Sequence, residues 1–194
     1  MKKFSKMIYI TLGLLALWVL ITVVTQFTGK ADSLAIGDLL TAQKTAVIIY
    51  NPDPFYDFDR QICESFAEGL AKEGVASLIL PTNQFKGMTQ DYSLYVFCAN
   101  TYNYAPDWNI SRLIRKMDLN DKPTVAITVG AGTTNQAQRK LENRLLKQKA
   151  KLIDSRTYWV LRPNEDSRIE EDNVVVARDM ADQFGMAMAQ VVGE

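Results

Sequence analysis

Between residues 45 and 192, short apolar runs alternate with longer segments whose apolar residues recur at helical spacing. The apolar runs predict five buried strands, at residues 46–50, 75–80, 92–98, 125–129 and 158–161. Parallel neighbours in a sheet need a long crossover between them, usually a helix, and this alternation provides such crossovers. The sequence therefore predicts an α/β fold with a doubly wound, five-stranded parallel sheet in the order 2-1-3-4-5 and helices on both faces.

The fourth predicted strand leads directly into a turn of small residues. Residues 130–132 are Gly-Ala-Gly, and Thr133 and Gln136 then have the spacing of a capping box at a helix start. A strand, a glycine-containing turn and a helix in succession point backbone N–H groups outward, which is typical of ligand-binding loops in α/β proteins.

Three loops are expected to meet at one edge of this sheet. In open α/β sheets, ligands bind outside the carboxyl ends of the strands, at the point where the strand order reverses. That point lies between the first and third predicted strands, so the loops at residues 51–59, 99–107 and 130–134 should converge there. Topology alone thus predicts a ligand site formed by these loops.

The N-terminal segment is apolar and long enough to cross a membrane. Residues 7–29 contain no charged side chain, and a helix over its core of about 21 residues would span roughly 30 Å. A cleavable signal peptide is the competing interpretation, but its apolar region has about 7–15 residues and ends in a small-residue cleavage motif. We therefore predict an anchor at 1–29, a tether at 30–44 with a short interfacial helix, and a folded domain at 45–194.

The distribution of lysines predicts the orientation of this anchor. Lys2, Lys3 and Lys6 precede the span, whereas the lysines that follow it are interspersed with aspartates. Since basic residues favour the cytoplasmic side of a membrane, the N-terminus is expected in the cytoplasm and the folded domain outside.

Composition excludes several kinds of function. The chain has 22 basic and 22 acidic residues, which gives no electrostatic reason to expect nucleic-acid binding. It has no histidine for acid–base catalysis or metal ligation. Cys63 and Cys98 fit neither a zinc motif nor a disulfide-rich scaffold, so we expect both to pack as small apolar side chains. A disulfide between them stays open if the domain lies outside the cytoplasm.

Several segments resemble the flavodoxin family, including its relatives among the flavin-dependent quinone reductases. Residues 100–106, Asn-Thr-Tyr-Asn-Tyr-Ala-Pro, are similar to the family's aromatic loop, and residues 125–132 to the strand end that approaches its flavin. Residues 66–70 look like the end of the family's first helix. The resemblance extends over roughly residues 45–192.

This resemblance implies an FMN site and a redox function. In the family, the aromatic loop contacts the isoalloxazine ring and stacks an aromatic side chain on it, a role that falls here to Tyr102 or Tyr104. The function implied is that of a membrane-anchored FMN-binding electron carrier or an NAD(P)H/quinone-type oxidoreductase. The residues implied in cofactor binding are Asn51, Tyr56, Asn100, Thr101, Tyr102, Tyr104, Gly130, Ala131 and Gly132.

The loop after the first predicted strand departs from the family pattern. Flavodoxins hold the FMN phosphate there with a loop rich in Ser, Thr and Gly, whereas residues 51–59 contain none of these and include two prolines without N–H donors. Asp53, Asp57 and Asp59 would repel a phosphate, since two like charges ~4 Å apart cost about 4 kcal/mol at an effective dielectric near 20. The alternative is a flavodoxin-fold module that has lost FMN and acts as a binding or assembly partner at the membrane.

Two charged clusters have further interpretations. Asp57 or Asp59 is expected to cap the following helix, and the acidic loop also suggests a Mg²⁺ or Ca²⁺ site. A phosphotransfer receiver would need an Asp at the end of strand 3 and a Lys after strand 5, which this chain lacks, and we predict no metal. Residues 139–151 carry six basic residues and one acidic residue. This pattern is typical of a solvated face, and it alternatively predicts docking to an anionic membrane or an acidic redox partner.

Overall fold

The computed structural model describes residues 2–87 and 91–192, which form a mixed α/β architecture. Its helices are α1 (Lys2–Val24), α2 (Phe58–Lys72), α3 (Trp108–Ile114), α4 (Asn135–Lys147) and α5 (Asn173–Val191). Its strands are β1 (Leu34–Ile36), β2 (Lys44–Tyr50), β3 (Val75–Pro81), β4 (Leu94–Tyr102), β5 (Ala105–Pro106), β6 (Pro123–Gly130) and β7 (Lys151–Trp159). A short 3-10 helix, Asp166–Arg168, precedes α5.

Strands β3, β2, β4, β6 and β7 form a parallel sheet in that order, which confirms the predicted order 2-1-3-4-5. Two short strands extend this sheet, because β1 pairs antiparallel with β3 and β5 pairs antiparallel with the end of β4. Helices α2 and α5 cover one face of the sheet, and α3 and α4 cover the other. The loops after β2, β4 and β6 therefore share the carboxyl edge.

Two segments at the edges of the sheet differ from their predictions. The fifth parallel strand, predicted at 158–161, is β7 at Lys151–Trp159, whose half-buried, polar sequence hides it from a search for apolar runs. Leu34–Ile36, expected in an interfacial helix, pairs instead with residues 77–79 of β3. That prediction was wrong because these apolar residues complete the open edge of the sheet.

The packing of α2 against α5 depends on two glycines. A Cβ on Gly69 would lie 2.0 Å from the carbonyl oxygen of Asp182, and a Cβ on Gly185 would lie 2.1 Å from that of Phe66. Real side chains cannot approach so closely, so the two helix backbones touch here. This contact holds α5 across the sheet and closes one of the two apolar cores.

The two cysteines are structural. Cys63 on α2 and Cys98 on β4 are free and fully buried in the same core, which confirms that they pack as small apolar residues. Burial raises the pKa of the Cys63 thiol well above its ordinary value, so it stays protonated and unreactive.

Two helices begin with a polar residue at the carboxyl edge. Asp107 caps α3, since its carboxylate accepts a hydrogen bond from the Ile110 N–H. Helix α4 begins one residue later than the predicted capping box, with Thr134 rather than Thr133 at the N-cap. The Thr134 hydroxyl bonds to the Thr157 hydroxyl and accepts a 2.8 Å hydrogen bond from Trp159 Nε1, so it ties the helix start to β7 instead of capping it.

Candidate ligand site at the carboxyl edge of the sheet

The three loops predicted to converge do form a cavity, which we call the slot. Its volume is about 460 Å³, within the usual range for small-molecule sites. Most of its lining is apolar or aromatic, with backbone from the ends of β4 and β6. The lining residues are Asp53, Tyr56, Phe58, Asn100, Thr101, Tyr102, Val129, Gly130, Ala131, Val160 and Leu161.

Six of the nine predicted site residues line the slot: Tyr56, Asn100, Thr101, Tyr102, Gly130 and Ala131. The other three lie elsewhere. Asn51 is buried, and its Oδ1 accepts 2.8 Å hydrogen bonds from the hydroxyls of Thr28 and Thr82 outside the slot. Gly132 lies beside Arg162 rather than at the lining.

Tyr104 points away because the predicted loop folds into a hairpin. Tyr102 pairs with Ala105, and the two residues between them, Asn103 and Tyr104, have φ of 49° and 57°. Such a two-residue turn requires left-handed backbone at both positions, which Asn accepts readily and Tyr rarely adopts. Tyr104 therefore lies at the hairpin tip with 57% of its surface exposed, and Tyr102 is the tyrosine of this loop that lines the slot.

Sequence reasoning missed four apolar lining residues, Phe58, Val129, Val160 and Leu161. Val160 and Leu161 were assigned to the last strand, whereas they follow β7 and reach the carboxyl edge. Lys151–Trp159 has neither a continuous apolar run nor a regular alternation, so no periodic signal in the sequence marks where this strand ends.

In the first loop, Asp53 holds the backbone in place. Its Oδ1 accepts hydrogen bonds from the N–H groups of Phe55 (2.7 Å) and Tyr56 (3.1 Å), and its Oδ2 accepts one from the Tyr102 hydroxyl. Burial and this contact with Asp53 raise the pKa of Tyr102, so its hydroxyl remains the donor. The loop after β2 is thereby joined to the aromatic loop after β4.

Asp59, in the first turn of α2, binds a second set of donors. Its Oδ1 accepts from the Arg60 N–H at 2.8 Å, and its Oδ2 accepts from the Asp53 N–H at 2.9 Å and from Asn100 Nδ2 at 2.8 Å. Only 2% of Asp59 is exposed, and burial raises its pKa to about 6. Asp57 is the N-cap, but its carboxylate accepts from the Gln61 side chain and not from a backbone N–H.

Asn100 connects this loop to a second buried carboxyl. Its side-chain amide donates to Asp59 and to the Asn51 carbonyl, and its own carbonyl accepts from the Asp107 N–H at 2.9 Å. Asp107 is fully buried, and burial raises its pKa to about 7. Within residues 2–87 and 91–192, its Oδ2 has no hydrogen-bond partner. The edge thus contains two buried carboxyl groups whose pKa values are raised by burial.

The donors of the first loop decide whether an FMN phosphate fits this edge. A phosphate at such a position needs backbone N–H groups at a helix start. Here the N–H groups of Asp53, Phe55, Tyr56 and Arg60 already bind carboxylates of the chain itself. The residues of the slot fit a flat apolar ring, whereas the loop does not fit the dianionic phosphate that FMN carries.

The segment after α1 is part of the same edge, which the sequence did not predict. Gln26 is 7% exposed, its Oε1 accepts from the Trp108 N–H at 2.8 Å, and its carbonyl accepts from Asn109 Nδ2 at 2.9 Å. The Gly29 N–H donates to the Pro52 carbonyl at 2.7 Å, and a Cβ on Gly29 would lie 2.7 Å from the carbonyl oxygen of Asp53. The chain that leaves α1 is therefore built into the first loop.

A larger cavity of about 540 Å³ lies on the other side of this segment, next to α3. It is bordered by Thr28, Asn109 and two exposed cations, Arg112 and Lys116. The slot, by contrast, lies where the strand order reverses, and we take it as the candidate site.

Two other predictions concern charge. Among the residues that the structure describes, no cluster of acidic, cysteine or histidine side chains could hold a metal ion. The basic segment predicted at 139–151 is helical only to Lys147, and the ammonium of Lys140 donates to the Tyr104 carbonyl at 2.9 Å. Docking of this segment to a membrane or an acidic partner stays a prediction.

Comparison with solved structures places the fold among the flavodoxins. A flavodoxin from the domain Archaea superposes with a TM-score of 0.62 at 9% identity, over 77% of this chain and 99% of that one. A WrbA-like flavodoxin from Agrobacterium tumefaciens gives 0.56 at 15% identity, over 77% and 96%. An NAD(P)H:quinone oxidoreductase from Methanothermobacter marburgensis gives 0.56 at 13% identity, over 76% and 100%. No protein-family model and no curated protein match the sequence.

Proposed function

We propose that this chain is a membrane-anchored binding module with the flavodoxin fold, whose slot takes a flat, uncharged ring and whose first loop does not hold an FMN phosphate. The observation that carries this proposal is that the carboxylates of Asp53 and Asp59 bind the N–H groups of Asp53, Phe55, Tyr56 and Arg60. These four backbone donors are therefore not free to bind an anion.

The energy of phosphate–carboxylate repulsion supports the proposal that the first loop does not hold an FMN phosphate. An FMN phosphate in this loop would lie close to the carboxylates of Asp53 and Asp59, and each such contact costs about 4 kcal/mol at ~4 Å and an effective dielectric near 20. Every 1.4 kcal/mol reduces affinity about tenfold. Ring stacking contributes about 0.5–1.5 kcal/mol per aromatic contact beyond burial, which is well below the cost of two such repulsions.

Membrane anchoring rests on α1. Within it, Lys6–Val24 is apolar and long enough to cross a membrane, and none of it is buried against the domain. The same description suits a signal sequence, but the apolar run is longer than the about 7–15 residues typical of a signal peptide. The lysine distribution supports an orientation with the folded domain outside the cytoplasm.

A second candidate function is the flavin-dependent redox activity that the family resemblance implies, either as an electron carrier or as an oxidoreductase. It is favoured by the apolar slot at the topological switch point and by likeness to proteins described as flavodoxins and an NAD(P)H:quinone oxidoreductase. It requires that FMN bind without the usual phosphate contacts, or that the first loop rearrange to release its donors.

FMN and riboflavin separate these candidates, because they share the ring and differ in the phosphate. The full chain is purified in detergent, since a cut at residue 31 would remove the buried Gln26. Visible absorbance is recorded, and quenching of flavin fluorescence is then titrated with each compound. We expect a colourless protein that binds FMN no more tightly than riboflavin. A yellow protein, or FMN bound more than tenfold tighter than riboflavin, would support the second candidate and overturn the first.

A matched pair of variants locates the ring. Ala131 lines the slot and is exposed, so Ala131→Trp should fill the slot and weaken riboflavin binding at least tenfold without disturbing the core. Thr133→Trp places the same side chain at an exposed position outside the lining and should leave binding unchanged. Equal binding by both variants would show that the ring lies elsewhere.

A further inference from the structure

Exposed aromatic side chains are concentrated at the carboxyl edge. Outside α1, and among the residues whose side chains the structure describes, the strongly exposed aromatic side chains all follow the carboxyl end of a strand or the end of α1. They are Phe27 (60% exposed), Phe55 (69%), Tyr56 (46%), Tyr104 (57%) and Trp108 (49%). Leu161, 78% exposed, lies at the same edge after β7. We call these six residues the aromatic rim.

The amino edge of the sheet has a different character. Its exposed apolar residues are aliphatic: Leu40, between β1 and β2, Leu146, near the end of α4, and Val191, at the end of α5. The seven residues of β2 separate the two edges by about 20 Å at ~3.3 Å per residue. A flat surface that contacts one edge is therefore out of reach of the other.

Helix α1 leaves the domain from the carboxyl edge and is fixed there. Thr22, in its last turn, accepts a 2.9 Å hydrogen bond from Asn103 at the hairpin tip, and Gln26, two residues after its end, is bound by Trp108 and Asn109. The rest of the apolar span, from Lys6, makes no buried contact with the domain. The helix is thus attached to the carboxyl edge by short, direct contacts that precede the tether predicted at residues 30–44.

We propose that the aromatic rim rests in the headgroup region of the bilayer that α1 crosses, so that the slot opens at the membrane surface. This inference uses only the membrane anchor of the proposed function and does not depend on what the slot binds. Tyr and Trp side chains favour this region because they combine an apolar ring with a polar group, and Phe and Leu reach further into the acyl chains. Continuity with α1 selects a bilayer rather than a protein as the occupant.

The placement of the aromatic rim in the headgroup region does not rest on charge. The cations at this edge include Lys30, Lys140 and Arg162, but the exposed carboxylates Asp32 and Asp57 lie among them. The contact should therefore form on a zwitterionic bilayer and should not require anionic lipid, in contrast with a surface that binds through basic residues.

Spin labels on single introduced cysteines test the inference in the full chain, reconstituted in phosphatidylcholine nanodiscs. Tyr104→Cys and Phe55→Cys place a label on the aromatic rim, Leu40→Cys and Leu146→Cys place one on the amino edge, and Leu15→Cys places one in α1. The native cysteines are fully buried, so the unsubstituted chain serves as the labelling blank. Power saturation with oxygen, which concentrates in lipid, and with a water-soluble nickel chelate then ranks the depth of each label.

We expect the oxygen-to-nickel accessibility ratio to be highest at position 15, several-fold above the amino edge at 104 and 55, and lowest at 40 and 146. Two rim positions are used so that one poorly folded variant does not decide the result. Ratios at 104 and 55 equal to those at 40 and 146 would overturn the inference, as would a water-like ratio at 15. If the rim labels become immobile but stay inaccessible to both reagents, a protein rather than lipid covers this edge and the inference is wrong. None of these outcomes depends on flavin binding.

Discussion

The loop after β2 and the turn after β6 lie at the same edge of the sheet, but charged side chains of the chain itself bind the backbone of only one of them. In the loop after β2 and the first turn of α2, the carboxylates of Asp53 and Asp59 bind four backbone N–H groups and close the loop on itself. In the turn after β6, Gly130 and Ala131 line the slot without a charged side chain. The first loop is closed to anions, and the turn is open to an apolar ligand.

This difference shows that the ring site and the anion site of the fold are separable. Acidic residues in the first loop could act merely by repulsion, which salt would screen. Here they also occupy the donors, so high salt alone should not restore an anion site. The predictions below test first the closed loop and then the open turn.

Removing the Asp59 carboxylate should produce the largest effect. Asp59→Ala leaves the N–H groups of Asp53 and Arg60 and the Asn100 amide short of an acceptor in a buried place. At pH 5 we expect a loss of about 3 kcal/mol, or roughly 10 °C in Tm, since each buried donor left unsatisfied costs about 1–3 kcal/mol. Thermal melts followed by near-UV circular dichroism of the full chain in detergent measure it.

Asp57→Ala is the matched control, because that carboxylate caps no backbone N–H group and is exposed. It should change stability by less than about 0.5 kcal/mol. The cost of Asp59→Ala should also shrink at pH 8, where the variant relieves a buried charge. If both alanine variants melt alike at pH 5, the closed loop does not contribute to stability.

The two buried carboxyls predict an unusual dependence of stability on pH. The pKa is raised to about 6 for Asp59 and to about 7 for Asp107, from 3.8 for each. Between pH 3.8 and these values the folded state binds more protons than the unfolded state, so stability falls as pH rises and levels off above about pH 7. We expect a loss on the order of 2–4 kcal/mol between pH 5 and pH 7.5, measured by thermal melts across this range.

Asp107→Asn should flatten this dependence, because the amide can still accept from the Ile110 N–H and does not titrate. Its remaining slope should come from Asp59 and should end near pH 6. Stability that rises between pH 5 and pH 7.5 in the unsubstituted chain would show that these carboxyls are ionised without cost, and the picture of a buried acidic edge would be wrong.

The sequence predicts the sheet well because strands buried on both faces are continuous apolar runs, whose order then follows from connection rules. It fails at β7 and β1, where edge positions permit polar or short strands. Within the site, topology correctly places the three loops. It does not give the side-chain directions, since Tyr104 leaves the slot only because Tyr102 pairs with Ala105.

Polar contacts across the chain were the least predictable part. Gln26 binds Trp108 and Asn109, more than 80 positions away, and an isolated glutamine at the end of an apolar helix gives no periodic signal of that contact. Likewise, the sequence predicts that Asp53 and Asp59 repel a phosphate. The folded geometry shows in addition that their carboxylates accept hydrogen bonds from backbone N–H groups that a phosphate would need. Composition predicts charge, whereas hydrogen-bond partners depend on the folded geometry.

Two glycines in the turn after β6 provide a specific test of the wall of the slot, with the smallest expected effect. A Cβ on Gly130 would lie 2.9 Å from Thr134 Cγ2 and 3.1 Å from Thr101 Cβ, whereas a Cβ on Gly132 would meet only Arg162 Cβ at 3.6 Å, an ordinary contact. Neither glycine has a positive φ, so strain in the backbone does not separate them.

Gly130→Ala should therefore cost about 1–2 kcal/mol through overpacking, and Gly132→Ala should stay within about 0.5 kcal/mol. Because the added methyl group of Gly130→Ala pushes on Thr101 at the slot wall, riboflavin binding should also weaken in that variant and not in Gly132→Ala. Equal melting temperatures for the two variants would mean that the Thr101 and Thr134 side chains move aside freely. In that case the slot wall is pliable, and the open turn differs from the closed loop in rigidity as well as in charge.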